Sequence, residues 1–182
     1  MKKQKPLEYG IFSAIILVGI ALDQLTKWLA VKFLMPIVTH PIIKNVLHLT
    51  YVENRGAAFG SFSDQRWVFM VISTVAIIAL LIYLWKFRPD SILACSALSM
   101  IIGGGIGNMI DRVFLGYVVD FLDFCAFPNL WVWVFNVADA FVCVGAGMLI
   151  LYLVLEMVKD FKAEKAKKLS ATEQKNPTED KE

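Results

Sequence analysis

The stretch Ser91–Ile110, SILACSALSMIIGGGIGNMI, runs for 20 residues without a charge and ends on Asp111-Arg112. A helix of about 20 apolar residues matches the thickness of a bilayer's hydrocarbon core. Three further runs resemble it. Trp67–Trp85 has 19 residues and no charge, Trp131–Leu155 carries only Asp139, and Tyr9–Leu34 is interrupted by Asp23 and Lys27. The whole chain is 58% hydrophobic, against about 45–50% for a soluble domain. These runs predict an all-α membrane protein, a bundle of four transmembrane helices over about 9–34, 67–85, 91–112 and 131–155. One membrane-embedded domain, 1–160, holds them all. The first run also fits a secretory signal peptide. Asp23 and Lys27 stand where its cleavage site would lie, and no A-x-A pattern follows.

Lysines and arginines orient the spans, because they are retained on the cytoplasmic side. Lys2, Lys3 and Lys5 precede the first run, Lys86 and Arg88 join the second to the third, and Lys159, Lys162, Lys165, Lys167 and Lys168 follow the fourth. The link Val113–Leu130 has none. Both termini are therefore expected in the cytoplasm, with segments 36–66 and 113–130 outside. Within 36–66, Val46–Val52 is β-branched and aromatic, and Asn54-Arg55-Gly56 supplies turn chemistry. A small β-cradle on the outer face is expected there. The polar tail, 161–182, reads as a frayed helix end followed by disorder.

Several functions are excluded. The net charge of +2 sits at the ends and links, so there is no contiguous basic face for nucleic acid. The three cysteines, Cys95, Cys125 and Cys143, are odd in number and lack C-x-x-C spacing. They read as packing residues, not as a disulfide framework or zinc site. His40 and His48 read as surface residues. No metal or cofactor is expected.

Ionisable groups in lipid are costly and face protein or water. On these spans Asp23 and Lys27 fall in the outer half of the first helix, and Asn108, Asp111 and Arg112 at the outer end of the third. Asp139 lies six residues beyond Trp133, roughly 9 Å along a helix. Asp120 sits in the link just before. All converge near the outer interface. Asp23 with Lys27, Asn108 with Arg112, and Asn136 with Asp139 each share a helix face. Asp23 and Lys27 either neutralise each other or meet substrate, and the spacing leaves both open. Asn54 shapes a turn or serves the site. Asp111 reads as the interfacial partner of Arg112, and Gly103–Gly105 as close helix packing. The second span reads as lipid-facing scaffold.

The reactive candidates are carboxylates. Neither Asp120 nor Asp139 has a local cation, whereas Asp123 lies further into the link and reads as solvated. Two carboxylates sharing a site hold one proton between them, a pair able to activate water against an amide. Proton-coupled transporters also keep membrane carboxylates. A transporter, and an assembly factor held together by polar contacts, are the competing readings. The missing internal repeat and the nearly charge-free inner half count against the transporter.

Five blocks occur in order: DQLTK at Asp23–Lys27, NRGAAF at Asn54–Phe59, GGIGNMIDR at Gly104–Arg112, GYVVDF at Gly116–Phe121 and FNVAD at Phe135–Asp139. Together they resemble the lipoprotein signal peptidases, or type II signal peptidases. The resemblance implies cleavage before a cysteine already carrying diacylglycerol, with lipidated prolipoproteins as substrates and Asp120 and Asp139 as the catalytic dyad. It implies supporting or binding roles for Asp23, Lys27, Asn54, Gly104, Asn108, Arg112 and Asn136. A monomer in the bacterial cell membrane, in contact with membrane lipid, is the expected form. Ala140 departs from the family's common serine.

Overall fold

The computed structural model describes residues 6–56, 66–87, 89–126 and 133–175. Lys2, Lys3, Lys5, Arg88, Leu130 and Trp131, and residues 57–59 and 176–182, on which parts of the sequence reading rest, lie outside them. The order is α1 (Pro6–Phe33), β1 (Thr39–Ile43), β2 (Leu47–Asn54), α2 (Arg66–Ile82) with a π-helical turn (Tyr83–Phe87), α3 (Ile92–Phe114), β3 (Val118–Phe124), β4 (Val134–Phe135) and α4 (Val137–Lys175). Four helices are long and apolar enough to cross a membrane: Tyr9–Phe33, Met70–Phe87, Ile92–Phe114 and Val137–Leu169. The fold is the expected all-α membrane bundle with a small antiparallel sheet.

α3 is the centre of the bundle. Half of its apolar window is buried, against 6% for α2 and for α4. It packs on all three other helices. Small residues permit this. A Cβ on Gly104 would overlap the carbonyl oxygen of Ala138, so only glycine lets α3 lie against the first turn of α4. The long side chains that remain exposed, such as Leu17, Val71, Ile72, Ile150 and Leu153, face outward, as lipid-facing positions do. One buried cluster, Phe12, Ile16, Leu84, Cys95, Leu98 and Ile102, joins α1, α3 and the π-helical turn.

The sheet lies at the end where α1 and α3 finish and α2 and α4 begin. Its order is β1-β2-β3-β4, antiparallel throughout. Ala30 of α1 and Leu34 just after it seat the sheet by packing against Val119 and Phe121. Asn45, at φ 59°, makes the β1–β2 turn, a left-handed conformation that asparagine tolerates.

The structure departs from the sequence reading in three places. The β element was expected within 36–66 alone, but the link after α3 adds β3, which pairs with β2 from Leu47↔Phe124 to Asn54↔Val118. The fourth helix starts at Val137 rather than near 131, because Val134 and Phe135 pair with Asp123 and Leu122 as β4. Their β-branched and aromatic side chains suit a strand. α4 also continues past Asp160 to Lys175. Its extension is rich in alanine, lysine and glutamate, all good helix formers, and Glu164 pairs with Lys168 at 2.6 Å.

Candidate active site

The site is built where α1, α3 and the start of α4 meet the sheet. Asp23 is fully buried. Its Oδ1 accepts a hydrogen bond from the backbone N–H of Ala138 at 2.9 Å, and its Oδ2 pairs with Lys27 Nζ at 2.9 Å. An α1 carboxylate thus holds the N-terminus of α4, where unpaired N–H groups and the helix dipole favour negative charge. A Cβ on Gly107 would lie 2.6 Å from this Oδ2, so glycine is required for the approach.

Lys27 is also buried. Its ammonium meets Asp23, Asp111 Oδ2 at 3.0 Å, and Asn108 Oδ1 at 2.9 Å. All three of its protons have acceptors. The Asp23–Lys27 pair is buried inside the protein, and neither residue lines the cavity described below.

Asp111 corrects the sequence reading. It is buried and pairs with Lys27, not with Arg112. Its Oδ1 accepts from Gln24 Nε2 at 3.0 Å, its Oδ2 from Val119 N–H at 3.0 Å. Its backbone carbonyl accepts from Leu115 and Gly116 at the end of α3. One residue thus links α1, α3 and β3. Gln24 was overlooked among the candidates. It donates to Asp111 and to the carbonyl of Gly107 at 3.2 Å. Its place inside the DQLTK block was the available signal.

From this buried network two amides reach toward the dyad candidates. Asn108 holds Lys27 on its oxygen and donates through Nδ2 to Asp139 Oδ1 at 2.7 Å. Asn136, fully buried, donates through Nδ2 to Asp120 Oδ1 at 2.7 Å and to Asn108 Oδ1 at 3.0 Å. Its backbone N–H reaches Asp139 Oδ2 at 3.2 Å. Asn54, from β2, donates to Asp120 Oδ2 at 2.9 Å and turns the chain by accepting from Gly56 N–H at 3.1 Å. Asn54 thus both shapes the turn and bonds Asp120. Arg112 bonds the carbonyl of Asn108 at 3.3 Å and stands at the cavity wall.

Asp120 projects from β3 and is 2% exposed. Burial chiefly pushes its carboxyl up to about 7, helped by the nearby charge of Asp139 and opposed by hydrogen bonds from Asn54 and Asn136 and by the charge of Lys27. Asp139 is half-buried in the first turn of α4. It therefore sits at the start of α4, not two turns into a helix begun at Trp131.

Asp120 and Asp139 both open onto one cavity of about 840 Å³, together with Asn54, Asn108 and Arg112. One wall is formed by strand residues, among them Val52, Val118 and Phe135, with Arg55 and Trp133 just beyond the strand ends. The rest runs down between helices past Ser73, Ala76, Ile77, Leu80, Ile101 and Val142. α2 thus has a cavity-lining face and is not merely scaffold. Gly104 and Asn136 support the cavity from behind without lining it, and Ala140 points outward, exposed. Asp123 is not a free solvated carboxylate, since Thr50 Oγ1 donates to it at 2.7 Å.

A polar carboxylate pair above an apolar slot, inside a four-helix bundle, is an arrangement that a membrane-embedded hydrolase can use. Residues 15–155 match the family model of signal peptidase (SPase) II. The chain is 54% identical over 138 residues to the lipoprotein signal peptidase of Caldanaerobacter subterraneus subsp. tengcongensis, covering 75% of this chain and 92% of that one. Against the lipoprotein signal peptidase of Clostridioides difficile it is 45% identical over 143 residues, covering 79% and 94%. A solved structure described as a bacterial membrane enzyme, determined by the in meso method at 2.3 Å resolution, superposes with a TM-score of 0.74 at 31% identity, over 81% of this chain and 90% of the other. The chain belongs to the signal peptidase II family: it is a multi-pass bacterial membrane protease of lipoprotein processing.

Proposed function

We propose that this protein is an aspartic endopeptidase that cuts diacylglyceryl-modified prolipoproteins immediately before the lipidated cysteine, with Asp120 and Asp139 as its catalytic dyad. The observation that carries the reading is Asn136, which holds both carboxylates at the mouth of one cavity.

Asp120 carries the proton near neutral pH because burial favours its uncharged form. Asp139 accepts hydrogen bonds from Asn108 and from the backbone of Asn136, an arrangement suited to a base. A water between them gives a proton to Asp139 and adds to the scissile carbonyl carbon, while Asp120 gives its proton to the carbonyl oxygen. As the adduct collapses, the peptide nitrogen takes a proton from Asp139 and leaves as an amine, while a hydroxyl of the adduct returns a proton to Asp120 and becomes the new carboxyl's carbonyl. The apolar slot between α2, α3 and α4 receives the lipid and signal-peptide side chains. Binding energy gained there, away from the reacting bond, serves the chemistry.

The lysine and arginine bias supports cytoplasmic termini and an active site near the outer interface. Thiol labelling from outside intact cells, in a cysteine-free background, should modify Lys44→Cys and spare Asp90→Cys. The function itself is tested by mass spectrometry of a lipidated model prolipoprotein incubated with purified protein. One new terminus at the lipidated cysteine is expected, with little cutting of the unlipidated peptide. Proton flux in sealed vesicles without cleavage would overturn the reading.

A further inference from the structure

A second constellation lies on the sheet, away from the dyad. His48 of β2 and Asp123 of β3 are cross-strand partners, and Cys125 follows two residues after Asp123. Its backbone N–H is fixed to the carbonyl of Val46 at 2.9 Å. One ligand atom from each side chain lies within 4.8 Å of the other two. Asp123 stands three residues beyond Asp120, about 10 Å along a strand.

We propose that His48, Asp123 and Cys125 form a binding site for a divalent metal ion of the zinc class. Three observations carry this. His48 Nε2 is buried and has no hydrogen-bond partner, the one such side-chain atom among the described residues. Buried polar atoms are nearly always paired, and an imidazole nitrogen accepts a metal directly. The donor set of imidazole, carboxylate and thiolate is one that zinc takes in tetrahedral geometry, at about 2.0–2.3 Å, with water in a fourth position. Its two negative charges match a divalent cation. Finally, Asp123 is already oriented from behind. Thr39 Oγ1 donates to Thr50 Oγ1 at 3.3 Å, and Thr50 Oγ1 donates to Asp123 Oδ2 at 2.7 Å. Such outer hydrogen bonds orient metal-binding carboxylates. Tetrahedral ligand atoms sit about 3.3–3.8 Å apart, so small side-chain rotations close the site. Cys125 releases its thiol proton to solvent as it ligates. The ion would clamp β2 to the end of β3, the strand that carries Asp120.

The test uses tag-free, full-length protein in detergent micelles, titrated with cobalt(II) and then zinc(II). One equivalent of cobalt should give a thiolate-to-metal absorption band that zinc bleaches. Cys125→Ser should abolish the band, His48→Ala should weaken binding at least tenfold, and His40→Ala should change neither. In the unsubstituted protein, zinc should slow alkylation of Cys125 at least tenfold and leave Cys95 and Cys143 unchanged. No band in the folded protein, a band that survives Cys125→Ser, or unprotected Cys125 under saturating zinc would each overturn the site. None of these readouts depends on peptidase activity.

Discussion

Asn136 and Asp139 cap each other at the start of α4. The side-chain oxygen of Asn136 accepts from the backbone N–H of Asp139 at 2.9 Å, and Asp139 Oδ2 accepts from the backbone N–H of Asn136 at 3.2 Å. This is a capping box with aspartate in the place usually held by glutamate or glutamine. One member of the proposed dyad is therefore positioned by the same bonds that begin its helix.

Asn136→Ala should consequently fail twice. Losing the cap costs about 1 kcal/mol, and leaving the buried Oδ1 of Asp120 without its donor, while Asn54 still serves Oδ2, costs about 1–3 kcal/mol more. Thermal melting in detergent should show the loss of stability, and cleavage should fall by about 100-fold or more, since Asp120 loses one of its two amide donors and the turn that carries Asp139 loses its cap. Near-normal turnover with a lowered melting point would reduce Asn136 to a cap alone.

Asp120→Asn and Asp139→Asn should each lower cleavage by at least about 1,000-fold, because members of a catalytic unit fail non-additively. The double variant should be little worse than either single one. Product mass spectrometry measures this, and substantial turnover by either single variant removes the dyad mechanism.

The pH dependence follows from Asp120. Burial holds its carboxyl at about 7, above the ordinary 3.8. The native state thus binds this proton more tightly than the unfolded chain. The group's contribution to stability is fullest below about 4 and is lost as pH climbs to about 7. Asp120→Asn escapes that loss and should melt higher than the parent at pH 8–9. In cleavage assays, kcat/KM should decline above about pH 7 as the proton given to the carbonyl oxygen disappears. A flat profile from pH 6 to 9 would assign the acid to another group.

Asp111→Asn should be severely destabilising, whereas Arg112→Gln should fold and lose mainly activity. Removing the Asp111 charge leaves Lys27 buried with one carboxylate partner, and breaking a buried ion pair costs about 3–5 kcal/mol. A double-mutant cycle of Asp111→Asn with Lys27→Met should show strong coupling. Additive effects would mean that the pair does not act as a unit.

Gly104 and Gly105 give a steric contrast. A methyl at Gly104 meets the backbone of Ala138, which cannot yield, whereas at Gly105 it meets the flexible end of Ile77 at 3.2 Å. Gly104→Ala should abolish folded protein by size-exclusion profile, and Gly105→Ala should remain folded and narrow the cavity.

Much of this was legible in the chain itself. Lipid demands long uncharged helices, so Ser91–Ile110 and its three counterparts announce the bundle by length and composition alone. The cost of burying charge likewise made Asp23, Lys27, Asn108, Asp120 and Asp139 conspicuous, and their predicted depth brought them to one end. What depth and spacing do not contain is who meets whom. Asp111 and Arg112 are neighbours in sequence, yet only Asp111 points into the core and takes Lys27 from another helix. Val134-Phe135 reads as the top of an apolar helix until β3 is present to pair with it. His48 and Cys125 lie 77 residues apart and look unrelated until β2 and β3 come into register. Helical spans follow from hydrogen bonds made within one segment, so sequence determines them locally. Cross-strand partners, the bond from Ala138 to Asp23 and the bond from Asn136 to Asn108 join distant segments, and those contacts exist only once the tertiary fold has closed.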